Sequence, residues 1–90
     1  MKKKANKLSV IHITLDDWEG VYLDGVLHDE GHKLGEGESD YYWLRLAEEK
    51  GFNSSGISRV CATEELNELI NDTGSLPIFF SEIGHLVAKY

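Results

Sequence analysis

The chain has 90 residues, of which 41% are hydrophobic and 28% are charged, and its formal net charge is −7. This length and composition predict one folded domain with a single modest core, and they exclude an intrinsically disordered chain. No stretch approaches the roughly 18 apolar residues that a membrane-spanning helix needs. The single cysteine, Cys61, excludes an internal disulfide and fits a reducing compartment. We therefore expect a cytoplasmic protein that does not enter a membrane.

The charges divide the chain into a basic start and an acidic body. Four of the nine basic residues lie within residues 1–7, which we predict to be a flexible tail because nothing in it can be buried. The apolar run after the tail ends at Asp16 after about eight residues and has His12 inside it, which argues against a secretory signal peptide. The body, residues 8–90, carries five basic residues against sixteen acidic ones, a net charge of −11. Such a body repels nucleic acid and favours a protein partner with a basic surface.

The first predicted elements are a strand and a β-hairpin. Residues 8–15 are rich in β-branched side chains and carry apolar residues on both faces, which predicts a central strand. Residues 16–34 form the hairpin, with Asp24-Gly25 as its two-residue turn. This turn predicts the following pairs: Leu23 with Val26, Tyr22 with Leu27, Val21 with His28, Gly20 with Asp29, and Glu19 with Glu30. In this register Gly20 lies between Trp18 and Tyr22, where we expect it to make room for the indole.

Two helices and a fourth strand follow. Ser39 is a good N-cap for a helix over residues 40–50, and Thr63 is a good N-cap for a second helix over residues 64–71. Residues 57–62 are predicted to form the strand between them. These elements predict a single α+β domain in the order β-β-β-α-β-α, with an antiparallel sheet of three or four strands and both helices packed on one face. The last ten residues, 81–90, fit either a strand or a helix.

His28 and His32 have the H-x-x-x-H spacing with which zinc proteases bind a metal from one face of a helix. Gly31 and the predicted hairpin argue against a helix here. On an extended strand, residues four apart are separated by roughly 13 Å, too far for both to bind one ion. We therefore expect a structural or exposed role for these histidines rather than a metal site.

The predicted register also brings the carboxylates of Glu19 and Glu30 together near the open end of the hairpin. Such a pair can serve acid–base chemistry or bind a cation. Two solvated acids are the more common arrangement at this position, so we expect no catalytic role for them.

Nine acidic residues lie between Asp16 and Asp40, a stretch in which Lys33 is the only lysine or arginine. An acidic stripe of this kind can dock on a basic protein surface or imitate the phosphates of a nucleic acid. The alternative is a face that only keeps the protein in solution. The residues that we predict to bind a protein partner are Asp16, Asp17, Glu19, Asp29, Glu30, Glu36 and Glu38.

Four short motifs stand out along residues 15–77: Asp17-Trp-Glu-Gly, Asp24-Gly, Glu30-Gly-His and Gly74-Ser-Leu-Pro. In this combination the chain resembles a group of small uncharacterised proteins encoded by bacteria and their phages. The resemblance implies a compact α+β domain built on an early hairpin and an origin in a phage or another mobile element. It implies no active-site residue.

The sequence favours a non-enzymatic, acidic protein-binding module, such as a phage-encoded accessory or host-interaction factor, without a cofactor or a bound metal. Two alternatives stay open. One is a metal-assisted hydrolase and the other is a small-molecule binding domain, and both would use His28, His32, Glu19 and Glu30. The oligomeric state also stays open, because an exposed strand edge can pair two copies.

Overall fold

The computed structural model describes residues 8–34, 39–52 and 56–89, so the predicted basic tail lies outside the described residues. The described elements are β1 Val10–Thr14, β2 Glu19–Leu23, β3 Val26–Gly31, α1 Ser39–Lys50, β4 Ile57–Ala62, α2 Glu64–Thr73 and β5 Val87–Lys89. Two short 3₁₀ turns, Phe80–Glu82 and Gly84–Leu86, precede β5. The α+β class and the order β-β-β-α-β-α are confirmed. Among the described residues, no helix has the length and apolar character needed to span a membrane.

The sheet has the strand order β3-β2-β1-β4-β5, which confirms the central position of β1. The prediction of an antiparallel sheet of three or four strands is wrong, because β1 and β4 run parallel and the sheet has five strands. The chain passes from β3 through α1 before it enters β4, and a helical connection of this kind can return a strand in the parallel direction. The fifth strand comes from the end of the chain, for which the sequence had favoured neither a strand nor a helix.

The two helices lie on opposite faces of the sheet, which corrects the prediction that they share one face. Successive side chains of a strand point to opposite faces. The core on the α1 side contains Val10, Val21, Leu34, Trp43 and Leu46. The core on the α2 side contains Ile13, Tyr22, Leu66, Ile70, Leu76 and Ile83. Because β1 and β2 carry large apolar side chains on both faces, each face needs its own helix to cover it.

The ends of α2 follow from local sequence. The Thr63 side chain accepts a hydrogen bond from the backbone N–H of Leu66 at 3.4 Å, as its predicted capping role requires. At the other end Gly74 has a φ of 81°, a left-handed conformation that ends the helix, and its N–H donates to the carbonyl of Ile70. The helix reaches Thr73, two residues beyond the predicted end.

The hairpin turn is confirmed, since Asp24 and Gly25 have φ values of 51° and 82°. The first two predicted pairs are also confirmed, but a β-bulge beyond Tyr22 shifts the rest, so that Gly20 pairs with Glu30 and Glu19 pairs with Gly31. The predicted pairing of Glu19 with Glu30 is therefore wrong. One extra residue in one strand exchanges the faces of all later side chains in that strand, and this places the two carboxylates on opposite faces of the sheet.

A segment near the end of the chain packs across the hairpin and closes the α2-side core. The hydroxyl of Tyr22 donates to the carbonyl of Pro77 at 2.6 Å, and the N–H of Leu27 donates to the carbonyl of Ile78 at 2.7 Å. A Cβ atom on Gly20 would collide with Cδ1 of Leu76. The space above Gly20 therefore holds Leu76 rather than the Trp18 indole that we expected there.

Replacing Gly20 by alanine is expected to lower the free energy of unfolding by about 1–2 kcal/mol, because overpacking a core costs about that much. In a Leu76→Ala background the added methyl group has space, and the same change should be neutral or slightly stabilising, since alanine suits a strand better than glycine. Urea denaturation of the wild type, both single variants and the double variant gives the change in the free energy of unfolding that Gly20→Ala causes in each background. Gly31→Ala is the control, because its Cβ would have nothing within 4 Å. Equal costs of Gly20→Ala in both backgrounds would contradict this packing.

Candidate functional site

His12 is buried beneath α1, and both nitrogens of its ring have partners inside the fold. Nε2 lies 2.7 Å from Oε1 of Glu19, Nδ1 lies 3.4 Å from Nη1 of Arg59, and the Trp43 ring packs against the imidazole at 5.0 Å between centroids. Arginine can only donate hydrogen bonds, so Nδ1 is the acceptor and Nε2 carries the proton that is donated to Glu19. His12 of β1 thereby links β1 to Glu19 of β2 and to Arg59 of β4.

Two of the predicted surface acids also bond within the fold on this face. Oε2 of Glu19 accepts the backbone N–H of Leu34 at 3.1 Å, and Oδ2 of Asp29 accepts the hydroxyl of Tyr42 at 3.0 Å. Burial, followed by the charge of Asp29, raises the pKa of Tyr42 well above its ordinary value. The hydroxyl therefore keeps its proton at neutral pH and remains a donor that ties α1 to the hairpin.

Glu30 has a comparable structural role on the opposite face. Its Oε1 accepts the indole N–H of Trp18 at 2.9 Å and the backbone N–H of Leu76 at 2.7 Å. Glu19, Asp29 and Glu30 thus bond within the protein rather than forming one free acidic stripe. Glu36 and Glu38 lie outside the described residues. The remaining two predicted residues, Asp16 and Asp17, are exposed in the bend between β1 and β2.

The two histidines of the H-x-x-x-H spacing are both exposed but have different surroundings. His28 is the extra residue of the bulge in β3. His32 follows the end of β3, and its Nδ1 lies 2.9 Å from the carbonyl oxygen of Asp17. Throughout residues 8–34, 39–52 and 56–89, no three His, Cys, Asp or Glu side chains are arranged to hold a metal ion.

The outer side of α2 carries acids that we had not selected from the sequence. Glu64, Glu68 and Asp72 are exposed and follow one another at four-residue spacing, so they share one side of the helix. The N–H of Asp16 donates to Oδ1 of Asn67 at 2.9 Å, which holds the bend against this helix. We call five of the exposed acids of these two elements the acidic face: Asp16, Asp17, Glu64, Glu68 and Asp72. The helix itself, Glu64–Thr73, contains no lysine, arginine or histidine.

The four-residue spacing of these acids is visible in the sequence. What the sequence did not show is that α2 lies beside the bend, because that contact joins residues 51 positions apart.

A cleft with a volume of about 160 Å³ lies between the bend and α2. Its apolar part is formed by Leu15, Trp18 and Ile70. Its polar part is formed by Asp17, His32, Asn67 and Asn71, and Gly74 lies at its edge. The cleft is well below the roughly 300–1,000 Å³ of pockets that hold drug-sized ligands. It matches the volume of about five water molecules, and thus of a single side chain or a small ion.

Several side chains of the cleft are held in place by hydrogen bonds. The indole N–H of Trp18 is bound to Glu30, and the ring of His32 packs edge-on against the indole at 4.8 Å between centroids. The carboxamide of Asn67 accepts from Asp16 and donates to the carbonyl of Thr63 at 3.2 Å. The shape of the cleft is therefore set by the fold before any ligand arrives.

Residues from three of the four short motifs in the sequence line this cleft: Asp17 and Trp18, His32, and Gly74. Comparison of the chain with protein-family models, with curated proteins and with solved structures finds no match.

Proposed function

We propose that the protein is a non-enzymatic binding module whose acidic face docks on a basic surface of another protein. The observation that carries this proposal is the row of Glu64, Glu68 and Asp72 along the outer side of α2, beside the exposed Asp16-Asp17 bend. These acids project into water on a body with a large excess of negative charge. The resemblance to phage-encoded proteins supports a role as a cytoplasmic accessory factor that acts on a host protein.

The carboxylates of Glu64, Glu68 and Asp72 are exposed to a partner. That of Asp17 is 91% exposed although it lies 3.4 Å from Nδ1 of His32, whereas the internal acids bond inside the fold. Over two turns of helix the three carboxylates of α2 span roughly 12 Å, which is comparable to the screening length of roughly 8 Å at physiological salt. Complementary charges at this spacing steer association and select the partner. By contrast, the best candidates for acid–base chemistry, His12 and Glu19, bind each other beneath α1, which favours a structural role for them.

The proposal is tested by removing charge from the acidic face without touching the internal network. In the double variant Glu64→Gln/Glu68→Gln, affinity for the partner should fall about tenfold, since each lost charge contact costs up to roughly 1 kcal/mol. The partner is first captured from host lysate on immobilised wild type and identified, and binding of the purified partner is then titrated at several salt concentrations. Wild-type affinity should weaken steeply as salt increases.

The matched control is Glu48→Gln/Glu49→Gln, which removes the same charge from exposed residues of α1, on the other face of the sheet. It should change the affinity by less than about twofold. Equal losses in both double variants, or an affinity that does not respond to salt, would refute docking through the acidic face.

A further inference from the structure

We propose that the cleft between the bend and α2 receives one arginine side chain of the basic partner, an inference that rests on the proposed function. The cleft lies within the acidic face, because Asp17 belongs to both and because Asn67, which lines it, binds the backbone of Asp16. A long basic side chain that approached this face would meet a preformed recess there rather than a flat surface.

The size of the cleft selects a side chain over a larger ligand. A volume of about 160 Å³ leaves no space for a nucleotide or a cofactor. The apolar part of the cleft, with Leu15 and Ile70, suits the methylene stem of a long side chain. The polar side chains at the rim of the cleft would then contact the charged end of that side chain. Long basic side chains have this division into an apolar stem and a charged head.

Three polar side chains of the rim can each present an acceptor, which suits a ligand rich in donors. The Asp17 side chain is 91% exposed, and its carboxylate lies 3.4 Å from Nδ1 of His32 but has lone pairs for further donors. The Nδ1 of His32 donates to the carbonyl of Asp17, so Nε2 is the acceptor of the neutral ring. Asn71 adds the oxygen of its carboxamide. No lysine or arginine is among the described residues that line the cleft, so its charge favours a cation.

Arginine fits these groups better than lysine does. A guanidinium is planar, carries five donors and stacks on aromatic rings, whereas an ammonium is a compact and strongly hydrated point charge. Trp18 supplies the aromatic ring, and indole is the preferred surface for a cation. Its hydrogen bond to Glu30 holds the ring in position, so little side-chain freedom remains to be lost when the arginine enters.

The test uses the full-length protein and three blocked tripeptides, Gly-Arg-Gly, Gly-Lys-Gly and Gly-citrulline-Gly, followed by NMR. The arginine peptide should shift the indole N–H signal of Trp18 and the carboxamide signal of Asn71. The citrulline peptide has the same shape without the charge and should bind at least about fivefold more weakly, as should the lysine peptide. The indole of Trp43, which packs in the core on the α1 side, is the internal reference.

Two charge-matched variants separate the cleft from the general field of the acidic face. Asp17→Asn should weaken binding of the arginine peptide up to about fivefold, while Glu68→Gln, which does not line the cleft, should weaken it less than about twofold. Asn71→Leu, at an exposed position, replaces the carboxamide by a larger apolar group and should abolish the shift of the Trp18 indole N–H signal.

Each alternative result would overturn the inference. Equal effects of Asp17→Asn and Glu68→Gln would mean that only the general charge attracts the peptide, and equal binding of lysine or citrulline would exclude arginine recognition. Shifts confined to other parts of α2 would do the same. In all these cases binding of the purified protein partner could still depend on Glu64 and Glu68, so the inference can fail while the proposed function stands. Loss of partner binding in the Glu48→Gln/Glu49→Gln control, with the arginine peptide still bound in the cleft, would refute docking through the acidic face and leave only the cleft's preference for arginine.

Discussion

Replacing His12 by alanine is expected to lower the free energy of unfolding by about 2–3 kcal/mol. Removing one partner of a fully buried pair costs about 3–5 kcal/mol, and the effect is smaller here because the Glu19 side chain is 22% exposed. The variant leaves the Glu19 carboxylate with the N–H of Leu34 and opens space beneath Trp43. Urea denaturation gives the size of the loss, and the melting temperature should fall by about 10 °C or more for a domain of this size.

A double-mutant cycle isolates the His12–Glu19 contact from the lost packing. His12→Ala, Glu19→Ala and the double variant should show a coupling energy of at least about 1 kcal/mol, because the second change removes a group that the first has already left without its partner. Glu49→Ala is the comparison, since its pair with Arg45 is more than half exposed and should be worth less than about 0.5 kcal/mol. A coupling energy near zero for the buried pair would mean that His12 acts only by filling space.

Replacing Glu30 by alanine is expected to cost about 2–3 kcal/mol, because two donors lose their shared acceptor and each unsatisfied donor costs about 1–3 kcal/mol where water has little access. These donors are the indole N–H of Trp18 and the backbone N–H of Leu76. Glu30→Gln keeps an oxygen at this position and should cost much less. Urea denaturation of both variants measures the difference, and the indole N–H signal of Trp18 in NMR reports the lost bond directly.

Glu68→Ala provides the reference for an exposed acid, and its stability should stay within about 0.5 kcal/mol of the wild type. If glutamine at position 30 proved as costly as alanine, the negative charge of Glu30 rather than its hydrogen bonds would be the stabilising property. The Glu30→Ala variant should also loosen the cleft, since Trp18 and Leu76 are both held by this carboxylate.

These acids fall into two sets, one that bonds inside the protein and one that is exposed to water. Glu19, Asp29 and Glu30 are internal acceptors: Glu19 binds His12 and the N–H of Leu34, Asp29 joins the hairpin to α1, and Glu30 joins it to the segment before the 3₁₀ turns. Asp16, Asp17 and the acids of α2 remain in water. A charge-removing variant is informative about binding only if it is confined to this second set, because neutralising the first set weakens the fold itself.

The hairpin shows which structural features can be predicted from local sequence and which cannot. The Asp24-Gly25 turn and the first two pairs of the register were predictable, because positive φ at both turn residues is a property of those residues and of their neighbours. The bulge at His28 was not, since no residue in β3 requires it locally. The bulge moves every later side chain of β3 to the opposite face of the sheet. Glu30 therefore lies on the face opposite Glu19, and the two residues have different partners.

The sequence by itself determined the class of the fold, the order of its elements up to α2, the N-cap of α2 and the acidic character of the body. These follow from short-range preferences and from composition. Only the tertiary structure decided that β4 runs parallel to β1, that the helices cover opposite faces and that α2 lies beside the Asp16-Asp17 bend. Contacts of this kind join residues some 50 positions apart, and they depend on how two apolar faces are covered at once. The cleft is formed by such contacts. Its residue types are visible in the sequence, but the sequence does not show that these residues lie next to one another in the fold.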